Sequence, residues 1–120
     1  MYKNIIIGAS GKLGKYINLP YSMLTYNKKK SKKAYKLNAN FKLFKDLYNK
    51  HKFENIILLA GITNLDNCKM NFKEVKKINI DFPKKIINFI KNKKLKFIFF
   101  STDQVYGNNN NASENSKLNP

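Results

Sequence analysis

The sequence predicts an α/β fold, a parallel sheet whose strands are joined by crossover helices, and three observations carry that reading. Short apolar runs recur at Asn4–Ile7, Met23–Tyr26, Asn55–Ala60 and Phe97–Phe100, apolar on both faces as buried parallel strands are. Segments of helical spacing separate the later runs. The first run feeds directly into a glycine turn, Gly8-Ala9-Ser10-Gly11-Lys12-Leu13-Gly14. Strands that alternate with helices build βαβ units and a parallel sheet.

Taken in order, the Asn4–Ile7 strand is followed by a short helix from about Lys12 that must end by Pro20. The Met23–Tyr26 strand runs into lysines at 28–33, read as a solvated loop. A weak strand is expected over Ala34–Leu37. Phe41, Phe44, Leu47 and Tyr48 then recur at helical intervals, with Asn40 placed to cap that helix. After the Asn55–Ala60 strand, a longer helix is marked by Phe72, Val75, Ile78, Phe82, Ile86, Phe89 and Ile90. Pro83 lies inside it and predicts a kink or local irregularity. Phe97–Phe100 is the fifth strand. The Asn- and Ser-rich stretch 108–120 is read as loop, which divides the chain into a sheet-forming portion, 1–107, and a polar tail.

Composition narrows the functional classes. The formal net charge is +17 over 120 residues, a balance that ordinarily points to nucleic acid or an anionic membrane. All 24 basic residues are lysine, however, and arginine, the usual bidentate reader of guanine and phosphate, is absent. Lys, Asn, Ile, Phe and Tyr are together the residues of A/T-rich codons, so mutational bias accounts for the lysines without a nucleic-acid partner. Cys68 is the only cysteine and His51 the only histidine, which leaves neither a disulfide framework nor a metal-ligand cluster. No run of about 18 apolar residues is present to span a membrane. A reducing cytoplasm fits this composition.

The spacing of Gly8, Gly11 and Gly14 has a physical reading. Gly8 lets the chain turn sharply off the strand, Gly11 lets backbone approach a pyrophosphate, and Gly14 lets the following helix pack on the sheet. Placed after a strand and before a helix, the turn reads as a dinucleotide site. Open α/β sheets hold ligands beyond the carboxyl ends of their strands. At the second end, Tyr26-Asn27 is followed by Lys28, Lys29 and Lys30. An Asp or Glu there would hold the ribose 2′-hydroxyl of NAD. A basic cluster instead accepts the 2′-phosphate of NADP, or else the lysines belong to the compositional bias. The cofactor is therefore NADP or NAD, with a slight lean to NADP.

The Gly-x-x-Gly-x-x-Gly spacing resembles that of the extended short-chain dehydrogenase/reductase family, a Rossmann-like, doubly wound fold of which the chain carries about five strands. The resemblance implies that the amides of Gly11, Lys12 and Leu13 bind the cofactor pyrophosphate. It also implies that Leu37 and Asn38 meet the adenine, where the family carries an Asp at the position of Asn38. Ala60-Gly61-Ile62-Thr63-Asn64-Leu65-Asp66-Asn67-Cys68 and Ser101-Thr102-Asp103-Gln104-Val105-Tyr106 are similar to segments of the family's dTDP-4-dehydrorhamnose reductase-like subgroup. Ala60 and Gly61 are small enough for a cofactor to lie flat over the strand end, and in that subgroup Gly61, Ile62 and Thr63 would flank the cofactor ribose and nicotinamide. Thr102 would hydrogen-bond the substrate oxygen as the catalytic hydroxyl, Thr102 and Asp103 together would bind the substrate, and Tyr106 is a packing position. Without the resemblance, these are ordinary strand-to-loop turns, and Thr102 a Ser/Thr turn.

The family's proton donor is the Tyr of a Tyr-x-x-x-Lys motif. In the family a Glu and, six residues on, a Pro often precede that Tyr by four residues; Glu114 and Pro120 have this spacing, so the resemblance implies the Tyr about four residues beyond Pro120. The resemblance thus implies the cofactor-binding N-terminal portion of a nucleotide-sugar reductase, inactive as it stands, with a nucleotide-sugar as substrate of the longer parent and self-association left open. Two alternatives stay beside it: an epimerase or dehydratase of the same family, and a non-catalytic dinucleotide-binding subunit like the regulatory subunit of methionine adenosyltransferase.

Overall fold

β1 (Asn4–Ile7), β2 (Ser22–Tyr26), β3 (Tyr35–Lys36), β4 (Asn55–Leu58) and β5 (Lys96–Phe99) form one parallel sheet in the order β3-β2-β1-β4-β5. The computed structural model describes residues 1–28, 34–108 and 111–119. Most of the lysine loop at 28–33 therefore lies outside the described residues. All five expected strands are present. β4 stops at Leu58, so Leu59 and Ala60 leave the sheet as loop. In register, Ile5, Ile6 and Ile7 face Met23, Leu24 and Thr25 on one side, and Ile56, Ile57 and Leu58 on the other.

The two faces are covered unequally. On one, Ile5, Ile7, Met23, Ile56 and Leu58 pack with Phe44 of α1 (Phe41–His51) and with Phe82, Ile86 and Ile90 of the C-terminal helix of the chain. On the other, Ile6, Ala9 and Ile57 are buried beneath Ile17, Leu24 and Leu59, which are only partly covered. The helix expected from Lys12 would have covered this face, and it does not form. Residues 11–16 make hydrogen-bonded turns instead, Lys15 donating to Gly11 O and Tyr16 to Leu13 O. Gly11 and Gly14 disfavour helix, the stretch before Pro20 is too short to repay nucleation, and Tyr16 is exposed rather than part of an apolar stripe.

α1 follows its sequence signals. Asn40 Oδ1 accepts from the Leu43 amide at 3.1 Å, and Lys52 ends the helix with a left-handed φ of 52°. Phe44 is fully buried at its centre, edge-on to Phe82 and Phe89. The longer apolar run becomes α2 (Leu65–Met70) and α3 (Phe72–Lys76), then a π-helical turn over Lys77–Asp81, then α4 (Phe82–Ile90). Pro83 accounts for the π turn. Its ring would strike the Asn79 carbonyl in a regular α-helix. The helix widens there, and Phe82 donates to Lys77 O, five residues back. The extra residue rotates α3 relative to α4. Ile78 remains buried, whereas Phe72, counted onto the core face by an uninterrupted helical period, is exposed.

Side chains join the starts of three strands. Asn55 Nδ2 donates to Asn4 Oδ1 at 2.8 Å, and Asn4 Nδ2 donates to Pro20 O at 2.9 Å and to Ser22 Oγ at 3.3 Å. At the far side, β5 is an edge strand that begins at Lys96 and ends at Phe99, one residue earlier at each end than expected, with Ile98, Phe99 and the following Phe100 exposed. The described residues after Gly107 form neither helix nor strand, and the Asn119 amide donates to Val105 O.

Candidate functional site

The strand order reverses between β1 and β4, and in open α/β sheets the ligand crevice opens at such a reversal. A cleft of about 480 Å³ lies there. The turn after β1 supplies Gly8, Ser10 and Gly11. The segment after β4 supplies Leu59 to Asn64, while Asn27, Lys28 and Asn38 come from the β2 and β3 ends and Asn71, Glu74 and Ile78 from the helical side.

The glycine turn is built by steric need. Gly8 has φ +94°, and a Cβ on it would sit 2.6 Å from the Ala60 amide nitrogen, so β1 and β4 can converge only with glycine there. The Thr25 carbonyl accepts from both Gly8 and Ala9, and the buried Thr25 hydroxyl donates to Ile6 O. Gly14 is also sterically required, but for approach to Ala9 within the turn rather than for packing a helix: its Cβ would lie 2.5 Å from Ala9 Cα. Gly11 is different. A Cβ there would meet only Gly8 O at 3.3 Å, so its open side faces the cleft rather than the fold.

The expected site residues fall into two groups. Gly8, Gly11, Asn38, Ala60, Gly61, Ile62 and Thr63 come together around the cleft. Lys12, Leu13, Leu37, Thr102 and Asp103 do not line it. Lys12 and Leu13 are exposed on the turn, and their amides make no hydrogen bond among the described residues, which leaves both N–H groups available to an anion. The Gly11 amide, in contrast, already donates to Gly8 O at 3.0 Å. Leu37 is 1% exposed and belongs to the core, so its side chain offers no surface to a ring. Asn38 adopts a φ of +50° that sets it at the cleft, while the next amide, Ala39, donates to Asn27 Oδ1. Thr102 caps a 3-10 turn over Asp103–Tyr106: its hydroxyl oxygen accepts from the Gln104 amide and its proton goes to Asp103 Oδ1.

Two residues that the sequence did not single out shape the cleft. Asn79, in the π turn, accepts from the Ile62 amide through Oδ1 and donates to the Ile62 carbonyl through Nδ2, both at 2.9 Å. It pins the loop after β4 to the helix behind it. Glu74 of α3 pairs with Lys28 beyond β2, Nζ lying 2.9 Å from Oε1 and 3.2 Å from Oε2. Neither had a local signal, because each acts across a long sequence separation. Tyr-x-x-x-Lys spacings do occur at Tyr26 and Lys30, the latter outside the described residues, and at Tyr48 and Lys52, but neither tyrosine lines the cleft, and Tyr48 packs edge-on against Phe89.

The cleft suits a dinucleotide on its own features, open backbone at Gly11 and Gly61 and polar side chains at the β2 and β3 ends, and the available amides of Lys12 and Leu13 follow Gly11 on the same turn. No group of three or more His, Cys, Asp or Glu side chains is placed to hold a metal among the described residues. Among them, too, no helix is long and apolar enough to cross a membrane.

Residues 2–120 match the family model described as the RmlD substrate binding domain. Among solved structures, the chain is similar to a hypothetical dTDP-4-dehydrorhamnose reductase from Sulfolobus tokodaii. The identity is 28% and the TM-score 0.83, over 98% of this chain and 46% of that one. It is also similar in fold to L-threonine 3-dehydrogenase from Trypanosoma brucei (15% identity, TM-score 0.84, 100% of this chain and 43% of that one). The UDP-Glc/GlcNAc 4-epimerase from Campylobacter jejuni is a third (21% identity, TM-score 0.76, 100% and 44%). The chain thus spans less than half the length of these structures. No curated protein matches the sequence.

Proposed function

We propose, because the chain belongs to the RmlD substrate binding domain family, that its cleft binds a nicotinamide dinucleotide and serves the reduction of a 4-keto-deoxysugar nucleotide. The fold is the Rossmann-like α/β fold of the extended short-chain dehydrogenase/reductases. The observation that carries the reading is the convergence of the glycine turn with Ala60 and Gly61 at the point where the strand order reverses.

In this reading the turn receives the pyrophosphate. The Lys12 and Leu13 amides donate to it, while Gly11 leaves room for its approach and contributes no amide of its own. Asn38 meets the adenine, and the loop from Ala60 to Thr63 lies along the ribose and nicotinamide. The bound dinucleotide supplies hydride chemistry. Thr102 polarises the substrate oxygen once its hydroxyl proton is released from Asp103 Oδ1.

The test is titration calorimetry of the chain with NADH and NADPH, before and after Gly11→Val. The substitution places a branched side chain on the open side of the turn, where its Cβ has Gly8 O at 3.3 Å as its one close neighbour. Binding by the unaltered chain and its loss in the folded variant are expected. Equal binding by both would remove the glycine turn from the site.

A further inference from the structure

We infer that Glu74 is the residue by which this cleft distinguishes a ribose 2′-hydroxyl from a ribose 2′-phosphate, an inference that rests on the dinucleotide reading above. The β2 end, where an acidic residue would select the hydroxyl, reads Tyr26-Asn27-Lys28 and carries no carboxylate. The fold brings one there from elsewhere. Glu74 lies 46 residues further along the chain, and its carboxylate stands against the Lys28 ammonium at 2.9 and 3.2 Å, both side chains lining the cleft beside Asn27 and Asn38. The Glu74 side chain is 39% exposed, less than that of Lys28 at 73%.

The chemistry of the pair follows from its charges. Lys28 Nζ holds the carboxylate at the β2 end, where the carboxylate has lone pairs left to accept from a sugar hydroxyl. A 2′-phosphate cannot donate in that way when ionised. It meets the Glu74 charge directly, and it gains Lys28 only by displacing the carboxylate already bound there. Of the lysines that follow Asn27, Lys28 is thereby engaged, which favours the unphosphorylated cofactor. At separations of about 5 Å in a water-like dielectric, repulsion between a carboxylate and a phosphate amounts to roughly tenfold in binding.

The experiment is a fluorescence titration of the 120-residue chain with NADH and with NADPH at low ionic strength, for the wild type, E74Q and K28Q. An exposed ion pair contributes so little to folding that E74Q retains the fold, which circular dichroism checks. The wild type is expected to prefer NADH by about tenfold. E74Q should tighten NADPH by about tenfold with NADH weakened no more than a few-fold, and K28Q should weaken NADPH further. An unchanged NADPH-to-NADH ratio in E74Q, or a wild type that prefers NADPH, would overturn the role of Glu74 and leave the dinucleotide site standing. A wild-type chain that binds neither coenzyme would overturn the dinucleotide reading and this inference with it.

Discussion

Replacing Asn79 with alanine removes both hydrogen bonds to the Ile62 backbone at once. Each is a part-buried, neutral bond at 2.9 Å, and such bonds contribute about 0.5–1.5 kcal/mol net. The pair therefore stabilises the fold by about 1–3 kcal/mol. For a domain of this size a loss of that order lowers the melting temperature by several degrees. The same change frees the wall formed by Gly61 to Thr63 to take other conformations, so coenzyme affinity should fall in proportion to the binding-competent fraction. Asn79→Asp makes the argument sharper. Its carboxylate can still accept from the Ile62 amide but cannot donate to the Ile62 carbonyl, and it sets a negative charge against that oxygen. Urea denaturation and coenzyme titration of both variants are the assays. Both should be less stable than the wild type, with Asp at pH 7 no better than Ala despite keeping one bond. An Asn79→Ala protein that matches the wild type in unfolding midpoint and in affinity would refute the pinning role.

Two further outcomes follow from particular contacts. Gly8→Ala should destabilise the fold itself, unlike Gly11→Val: the positive φ costs about 1–3 kcal/mol, and the overlap with the Ala60 backbone adds to it, so thermal unfolding should separate the two variants. The hydrogen bond to Tyr35, reinforced by its charge on ionisation and by burial, raises the Tyr2 phenol above its ordinary value of 10.0. The protonated phenol is the form that the fold favours. Its contribution is complete below pH 10 and is lost as pH climbs through the raised native value. A pH series of denaturation midpoints should therefore lose part of its alkaline fall in Tyr2→Phe.

β1 and β4 were legible because each is an apolar run buried on both faces, a pattern that needs no partner to be seen, whereas β2 alternates and β5, though apolar in sequence, stays largely exposed at the sheet edge. The cap of α1 was equally local, three residues from Asn40 to Leu43. The segment after Gly11 misled because a glycine turn before a helix and a glycine turn before another turn share one signature. What decides between them is an apolar stripe on the helix, which Lys12, Lys15 and Tyr16 do not provide. Leu37 was placed by family position, and it is the core, not the cleft, that claims its side chain. Phe72 was counted onto the wrong face because Pro83 changes the helical period upstream of itself. Asn79 and Glu74 were illegible for a common reason: their partners, Ile62 and Lys28, lie 17 and 46 residues away, and only the folded topology brings them near.

The amide ladder at the strand starts gives the sheet two chemically unlike ends. Asn4, Ser22 and Asn55 tie β2, β1 and β4 together there, and backbone bonds from Glu54 and Asn55 to Lys3 O continue the binding across the seam. At the opposite end the same strands part into the cleft loops, where the Lys12 and Leu13 amides have no such tie. Amide hydrogen exchange should therefore be slow along β1 and β4 as far as Ala9 and Leu59 and fastest at the untied Lys12 and Leu13 amides. A ligand that enters the cleft can spread the loops while the far seam keeps the strands from sliding past one another. The register that faces Ile5 to Ile56 and Met23 is held from the end the ligand never reaches.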